Sequence, residues 1–484
     1  MQQFRACRHR LGGAVCLGPG LALLLGSAGA AFAHGAEGGL VLLLPTRFWL
    51  LGACLAVAAS FLLLALAPPA WVERLARLRL RLGTLPRPSP TLPSLLSLAL
   101  LALLVAAGPF GSHDPLHNPL PLFVWTLWWV GFTLLQALTG QLWSHLNPWS
   151  GPLALLRRFT RSAVGRQARL RLPAAAGYAI ATAQFFAFAW FELIDPAPSD
   201  PRRLAFAVSG YWLLNLAGMM LYGEAAWAKC AEPFGIFFRL VGGLSPIARE
   251  PGARPSQVAL SLVWPGRSLI EREALPLPGT LFVLLTLASV SFDGLSRTYR
   301  WLALTGVNPL EFPGRSAVMV PGTIGLAVAW VVLAAALLAA IAGGWRLAGG
   351  SNPGLAATGR LVFSIVPISL AFHASHYLTM LLVDGQYARI ALSDPFALGW
   401  DLFGTARDHV TLSFLNRLEG VAMVWSIQTV TIAFGHILGI VMAHMLALRL
   451  LGEARAAIRS QLILANLMVL YTAFGLWLLA TPRI

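Results

Sequence analysis

An all-α bundle of about ten membrane-spanning helices follows from three features of the 484-residue sequence. Charged residues make up 11% of it and hydrophobic residues 57%, with a mean hydropathy of +0.71. A water-soluble domain of this size carries about twice that share of charge. The apolar residues also fall in continuous runs of about 20, long enough to cross a hydrocarbon core of about 30 Å. Continuous runs exclude a transmembrane β-barrel, whose strands alternate apolar and polar. The third feature is the placement of the basic residues. Net charge is +16, which in a soluble protein points to nucleic acid. Here the Lys and Arg sit in short loops between apolar runs, so they report orientation instead, and no nucleic-acid partner is expected.

Residues 1–33 have the form of a secretory signal. Arg5, Arg8 and Arg10 form its basic region, Leu11 to Leu25 its apolar core, and Ala31-Phe32-Ala33 an A-x-A cleavage site. Cleavage there leaves His34 as the mature N-terminus, where an amine and an imidazole together suit Cu(II). Residues 34–484 are expected to form one integral membrane domain.

The first span covers about Arg47 to Leu66 and exits into WVERLARLRLRLGTLPRPSP with five arginines. The second is Leu92 to Phe110, followed by GSHDPLHNP with no Lys or Arg. Leu120 to Trp143 forms the third, and the basic segment Ser144 to Leu172 follows it. Pro173 to Leu193 and Leu204 to Tyr222 are the fourth and fifth. In the long loop from Gly223 to Leu277, Trp227 to Leu244 reads as an amphipathic surface helix. The sixth span is Gly279 to Phe292 and the seventh Ala317 to Ile341. The eighth and ninth lie between Leu361 and Leu448, separated by a loop at 383–418. Gln461 to Ala480 is the tenth. Of 35 Lys and Arg residues, 22 fall in one set of alternate loops and 10 in the other. That bias predicts a bacterial inner-membrane protein with both mature termini periplasmic. The four cysteines offer neither a periplasmic disulfide pair nor C-x-x-C-H for covalent haem.

The eighth and ninth spans carry the main candidate site. SLAFHASHYL holds His373 and His376, and AFGHILGIVMAHML holds His436 and His444. Intramembrane histidines are rare and mark functional sites or polar contacts between helices. His373 and His376 are separated by about 60° and 4.5 Å on a helix, so they share a side. His436 falls at a similar depth on the antiparallel ninth span. Two imidazoles on facing helices can ligate b-type haem, and three can hold zinc or copper. The spacing does not choose among these. The bland alternative is that each ring bonds a hydroxyl or carbonyl on a neighbouring helix.

Secondary candidates line the loops. His113 and His117 flank Asp114, Glu192 ends the fourth span and Asp293 ends the sixth. Carboxylates and imidazoles gathered there could bind a metal or take protons. His145 and His444 sit near the opposite membrane surface, where interfacial positions are as natural as functional ones. Asp408-His409 reads as a solvated loop pair and Glu224 as a helix-end charge.

Several motifs resemble a bacterial membrane-protein family that carries the name fenitrothion hydrolase. They are the leader ending in AHG, HLNPW at 145–149, FAFAWFEL at 186–193, YGEAAW at 222–227, SFDG at 291–294, HASHY at 373–377, SDPFALGWDLFGT at 393–405 and FGHILGIVMAH at 434–444. The resemblance spans nearly the whole mature chain. It implies hydrolysis of an organophosphorus triester, by this protein or by a complex with a second subunit. Such chemistry generally uses a metal-activated hydroxide, yet H-x-H, H-E-x-x-H and G-x-S-x-G are all missing from the sequence. A haem or copper redox protein, a metal-ion transporter and a structural factor remain as alternatives.

Overall fold

The computed structural model describes residues 40–41, 43–160, 169–308, 311 and 314–481. The expected signal at 1–33 and His34 lie outside the described residues. Among the described residues ten helices are long and apolar enough to cross a membrane, and the chain is a polytopic helical membrane protein. In chain order they are α1 (Thr46–Leu66), α3 (Thr91–Phe110), α4 (Pro119–Thr139), α6 (Ala174–Leu193), α7 (Pro201–Tyr222), α10 (Leu277–Ser296), α11 (Met319–Leu347), α12 (Gly354–His376), α14 (Leu418–Leu451) and α15 (Ala454–Ala480). Between them lie α2 (Pro69–Arg77), β1 (Arg79–Pro86), α5 (Ser150–Thr160), α8 (Glu224–Cys230), α9 (Pro233–Val241), β2 (Ile247–Pro251), β3 (Gln257–Val263) and α13 (Leu378–Ser393).

Burial separates centre from periphery. Of the most apolar window in each span, 83% is buried in α10, 78% in α12 and 61% in α14, against 17% in α1 and 22% in α3. The first three are therefore the core of the bundle, and the last two turn most of their leucines outward. Small residues make the central packing possible. Gly435 and Gly439 form a G-x-x-x-G step on α14, and a Cβ at Gly435 would lie 2.3 Å from Ala371 Cβ. At Gly439 it would lie 2.8 Å from the Ser364 carbonyl oxygen. The two backbones thus meet directly, as small-x-x-x-small interfaces allow in membranes. Gly475 of α15 does the same against the Phe372 ring.

The long loops on the Arg-rich face are more ordered than the sequence suggests. The expected surface helix at 227–244 is two helices, α8 and α9, broken at Glu232-Pro233. Arg79–Pro86, expected as basic loop, pairs antiparallel with β3, which also pairs with β2. The three-stranded sheet has the order β1-β3-β2. On the opposite face, the first part of the loop expected at 383–418 is helical, the end of α13 (Leu378–Ser393). It packs along the first half of α4, where Leu122–Phe132 is wound as a π-helix. Wider winding there changes which carbonyls the backbone ladder uses, a feature that recurs at functional sites.

Candidate functional site

Three helices end at one place in the Arg-poor half of the bundle. The last turns of α6, α10 and α12 supply Glu192, Asp293 and His376. Asp293 is 1% exposed, and its carboxylate is shared. Oδ2 accepts from His376 Nε2 at 2.6 Å, and Oδ1 accepts from Arg297 Nε at 2.9 Å. Arg297 lies one turn beyond Asp293, and its side chain is half-exposed, whereas that of His376 is buried. Next to this pair, the Tyr377 hydroxyl donates to Glu192 Oε1 at 2.8 Å. The Tyr377 ring stands edge-on to both His376 and His373, with centroids 4.8 and 5.0 Å apart. Arg315 donates to the carbonyls of Glu192 and Leu193, closing the end of α6. Helix C-termini carry partial negative charge, so three of them converging favours the cations gathered here.

His373 sits one turn deeper and is 3% exposed. Its Nε2–H donates to the Trp129 carbonyl at 3.0 Å, a group in the π-wound part of α4. The Trp129 indole packs on the same imidazole at 4.7 Å. Its own N–H is buried and closes no hydrogen bond. A buried N–H left in this way is uncommon.

His436 does not join this group. Its Nδ1–H donates to the Ile432 carbonyl at 2.9 Å, and its ring faces Phe372 and Tyr471. The reason is helical geometry. Gly435 and Gly439 press α14 against α12, so His436 falls about 80° to the side of that seam, where its ring meets Phe372 of α12 and Tyr471 of α15 instead of His376. Depth matches, as the sequence indicates, but direction does not. His436 Nε2 is buried without a partner. His444 bonds Gln461 on α15, and His145 contacts Ser144 on the Arg-rich face. His113 and His117 are exposed, the latter paired with Asp114 at 2.7 Å. Glu224 is held by Ser150 and Arg157, and Asp408 by Arg389 at 2.8 Å.

Donor sets for the expected cofactors can now be tested. Haem needs a slot between two axial ligands, and α12 and α14 touch through glycine, which leaves none between them. Zinc and copper sites take three or more protein ligands. Among the described residues no group of three or more His, Cys, Asp or Glu is placed to hold a metal ion. As folded here, His373, His376 and His436 each have a different partner.

Sequence reasoning singled out Glu192, Asp293 and His376 but passed over Arg297, Tyr377, Trp129 and Arg315. Arg297 carried a readable signal, because Asp and Arg at i and i+4 share a helix face. Tyr377 is adjacent to His376 in HASHY. Nothing local marked Trp129, whose role depends on the winding of α4.

The class defined by this fold and cluster is a polytopic helical membrane protein with a charged, hydrogen-bonded centre in its interior. The chain matches no protein-family model, no curated protein and no solved structure.

Proposed function

We propose that this chain is a proton-handling protein of the bacterial inner membrane, with its Arg-rich loops cytoplasmic. The observation that carries the reading is the division of the buried Asp293 carboxylate between Arg297 and His376. Asp293 and Arg297 cancel. Glu192 and His376 then hold one proton between them. With the proton on Glu192 the cluster is neutral, and with the proton on His376 the imidazolium and the Glu192 carboxylate cancel. A buried site tolerates neutral arrangements and resists net charge. Two placements of equal charge, with the Tyr377 hydroxyl on Glu192 and its ring against His376, let a proton move without a large electrostatic barrier, and the pair titrates as a unit. Buried ionisable groups of this kind mark proton relays in membrane proteins.

The test is infrared spectroscopy of the purified protein over a pH titration. A protonated-carboxyl band is expected that vanishes in Glu192→Gln and grows in His376→Gln. A band indifferent to both substitutions would sink the reading. In vesicles, the protein should speed decay of an imposed pH gradient, and His376→Gln should abolish that gain.

The family resemblance supports a second reading, hydrolysis of an organophosphorus triester of the fenitrothion type, alone or with a second subunit. Its support in the geometry is the carboxylate-held imidazole, the arrangement a general base requires. Metal-assisted versions, with zinc or copper, need the histidines to regroup. Purified protein should then cleave a chromogenic triester, His376→Gln should not, and elemental analysis should find the metal. Inert protein from metal-replete cells would dismiss this second reading.

A further inference from the structure

A cavity of about 720 Å³ lies between α3, α4, α6 and α7. Its volume is that of a small-molecule site. No Asp, Glu, Lys, Arg or His lines it. It is also long. Its wall runs from Leu120 and Leu204, near one end of α4 and α7, to Leu146 and Trp149 on the Arg-rich face. The sixteen residues of α4 from Leu120 to Leu135 would rise about 22 Å as α-helix, and rise less where the helix is π-wound. Leu100, Leu135 and Leu214 stand at its rim and are exposed on the lipid-facing side of their helices. The cavity therefore opens to the bilayer rather than to water.

At its Arg-rich end it adjoins a second, polar cavity of about 120 Å³, with Trp143 and Trp149 in the walls of both. Glu232 lines this smaller space and is 2% exposed. Its carboxylate accepts from the Tyr211 hydroxyl, from Trp143 Nε1 at 3.1 Å, and from the N–H groups of Phe234 and Gly235 at 2.8 and 2.6 Å. All four donors are neutral. Among the described residues Glu232 has no salt-bridge partner, although it is more deeply buried than Glu224, Glu250 or Glu271, which do. Arg239, on the same cavity, spends its guanidinium on the carbonyls of Ala228 and Lys229. A carboxylate without a counter-ion beside indole rings is a setting that receives an ammonium group.

We propose that the two cavities together hold one amphiphile drawn sideways from the bilayer, its hydrocarbon chain along α4 and an ammonium-bearing head at Glu232. The chain fits an elongated apolar space with a lipid-side mouth, and an ammonium head sets a full positive charge beside a carboxylate that otherwise rests on neutral donors, two of them the N-terminal N–H groups of α9. This site is separate from the Glu192–His376 cluster, with the Trp129, Phe188 and Phe234 rings between them.

Tryptophan quenching in vesicles tests it, because Trp125, Trp128, Trp143 and Trp149 line the long cavity. The probes are phosphatidylethanolamine and phosphatidylglycerol with brominated chains, each titrated into unlabelled phosphatidylglycerol. Wild-type protein should show a saturable quenching component at low mole fraction with the ethanolamine probe. The glycerol probe should need several-fold more. Gly210→Phe should remove that component, since Gly210 lines the cavity and a Cβ there meets nothing within 4 Å. Ala207→Phe, on the same wall, serves if Gly210→Phe does not fold. Gly52→Phe, equally unobstructed but away from the cavity, should leave it intact. Quenching that rises linearly and equally in all variants would overturn the site. Saturation with no preference between the head groups would overturn the role of Glu232.

Discussion

Replacing Asp293 by Asn and by Leu separates what its charge contributes from what its hydrogen bonds contribute. Asn keeps the shape. Its amide oxygen can still accept from Arg297 Nε, and its amide N–H can donate to His376 Nε2 once the imidazole moves its proton to Nδ1. What is lost is charge. The Arg297 side chain is 52% exposed, so it rehydrates, and its share is that of a half-screened pair, about 1 kcal/mol or less. The bond to His376 falls from a charged to a neutral one, a loss of roughly 1 kcal/mol. Asp293→Asn should therefore cost about 1–2 kcal/mol. Leu can accept nothing and leaves a buried imidazole N–H facing a methyl group. Removing one partner of a buried pair costs about 3–5 kcal/mol, and with Arg297 half in water the lower end applies. Thermal unfolding in detergent, followed by tryptophan fluorescence, should rank wild type above Asn and Asn above Leu. In His376→Gln the gap between Asn and Leu should shrink, since the partner they differ over is gone. Equal midpoints for Asn and Leu, or effects that simply add to His376→Gln, would refute this account of the pair.

Other substitutions probe the same architecture. Gly435→Ala places a methyl 2.3 Å from Ala371 Cβ and 2.8 Å from the Pro367 carbonyl, so overpacking of about 1–3 kcal/mol is expected. Gly52→Ala, with open space around it, should leave the midpoint unchanged in the same assay. Tyr377→Phe removes the donor to Glu192 and should cost roughly 0.5–1.5 kcal/mol, the range for a bond between neutral groups. Its infrared titration should also differ from wild type at the carboxyl band. His145 is held below its usual range by burial, with Arg249 and Arg87 adding to it. The folded state then binds fewer protons than the unfolded one. Stability from this group is present above about pH 6.5 and is lost as pH falls below it. His145→Gln should flatten that decline, measured as midpoint against pH.

The ten spans were legible because each is a continuous apolar run, and nothing else in a water-poor environment satisfies the backbone. The sixth shows the limit. Expected at 279–292, it runs Leu277–Ser296, because its last turn carries Asp293 and Ser296, which a hydropathy window discounts. Asp384, Gln386 and Arg389 hid α13 for the same reason. The sheet was less visible still. Alternation in RLRLRL is a strand signal, but its partners lie about 170 residues on, inside what reads as one long loop. Within the site, depth could be read from sequence and direction could not. His373, His376 and His436 do lie on adjoining helices. Only the glycines at 435 and 439 indicate which side of α14 faces α12, and once that is fixed His436 falls beside the seam, against Phe372 and Tyr471 rather than His376.

The sheet on the Arg-rich face bears on how the protein is made. β1 leaves the ribosome long before β3, its neighbour in the sheet. At translation rates of about 5–20 residues per second, it waits roughly 10–30 seconds for that neighbour to emerge. Four more spans must be inserted in that interval. During the wait, the leucines of β1 and the arginines between them have no strand to pair with, and the nearby bilayer surface is the natural place for them to rest. Closing the sheet is then a late step, one that draws the first hairpin of helices to the sixth after each has entered the membrane separately.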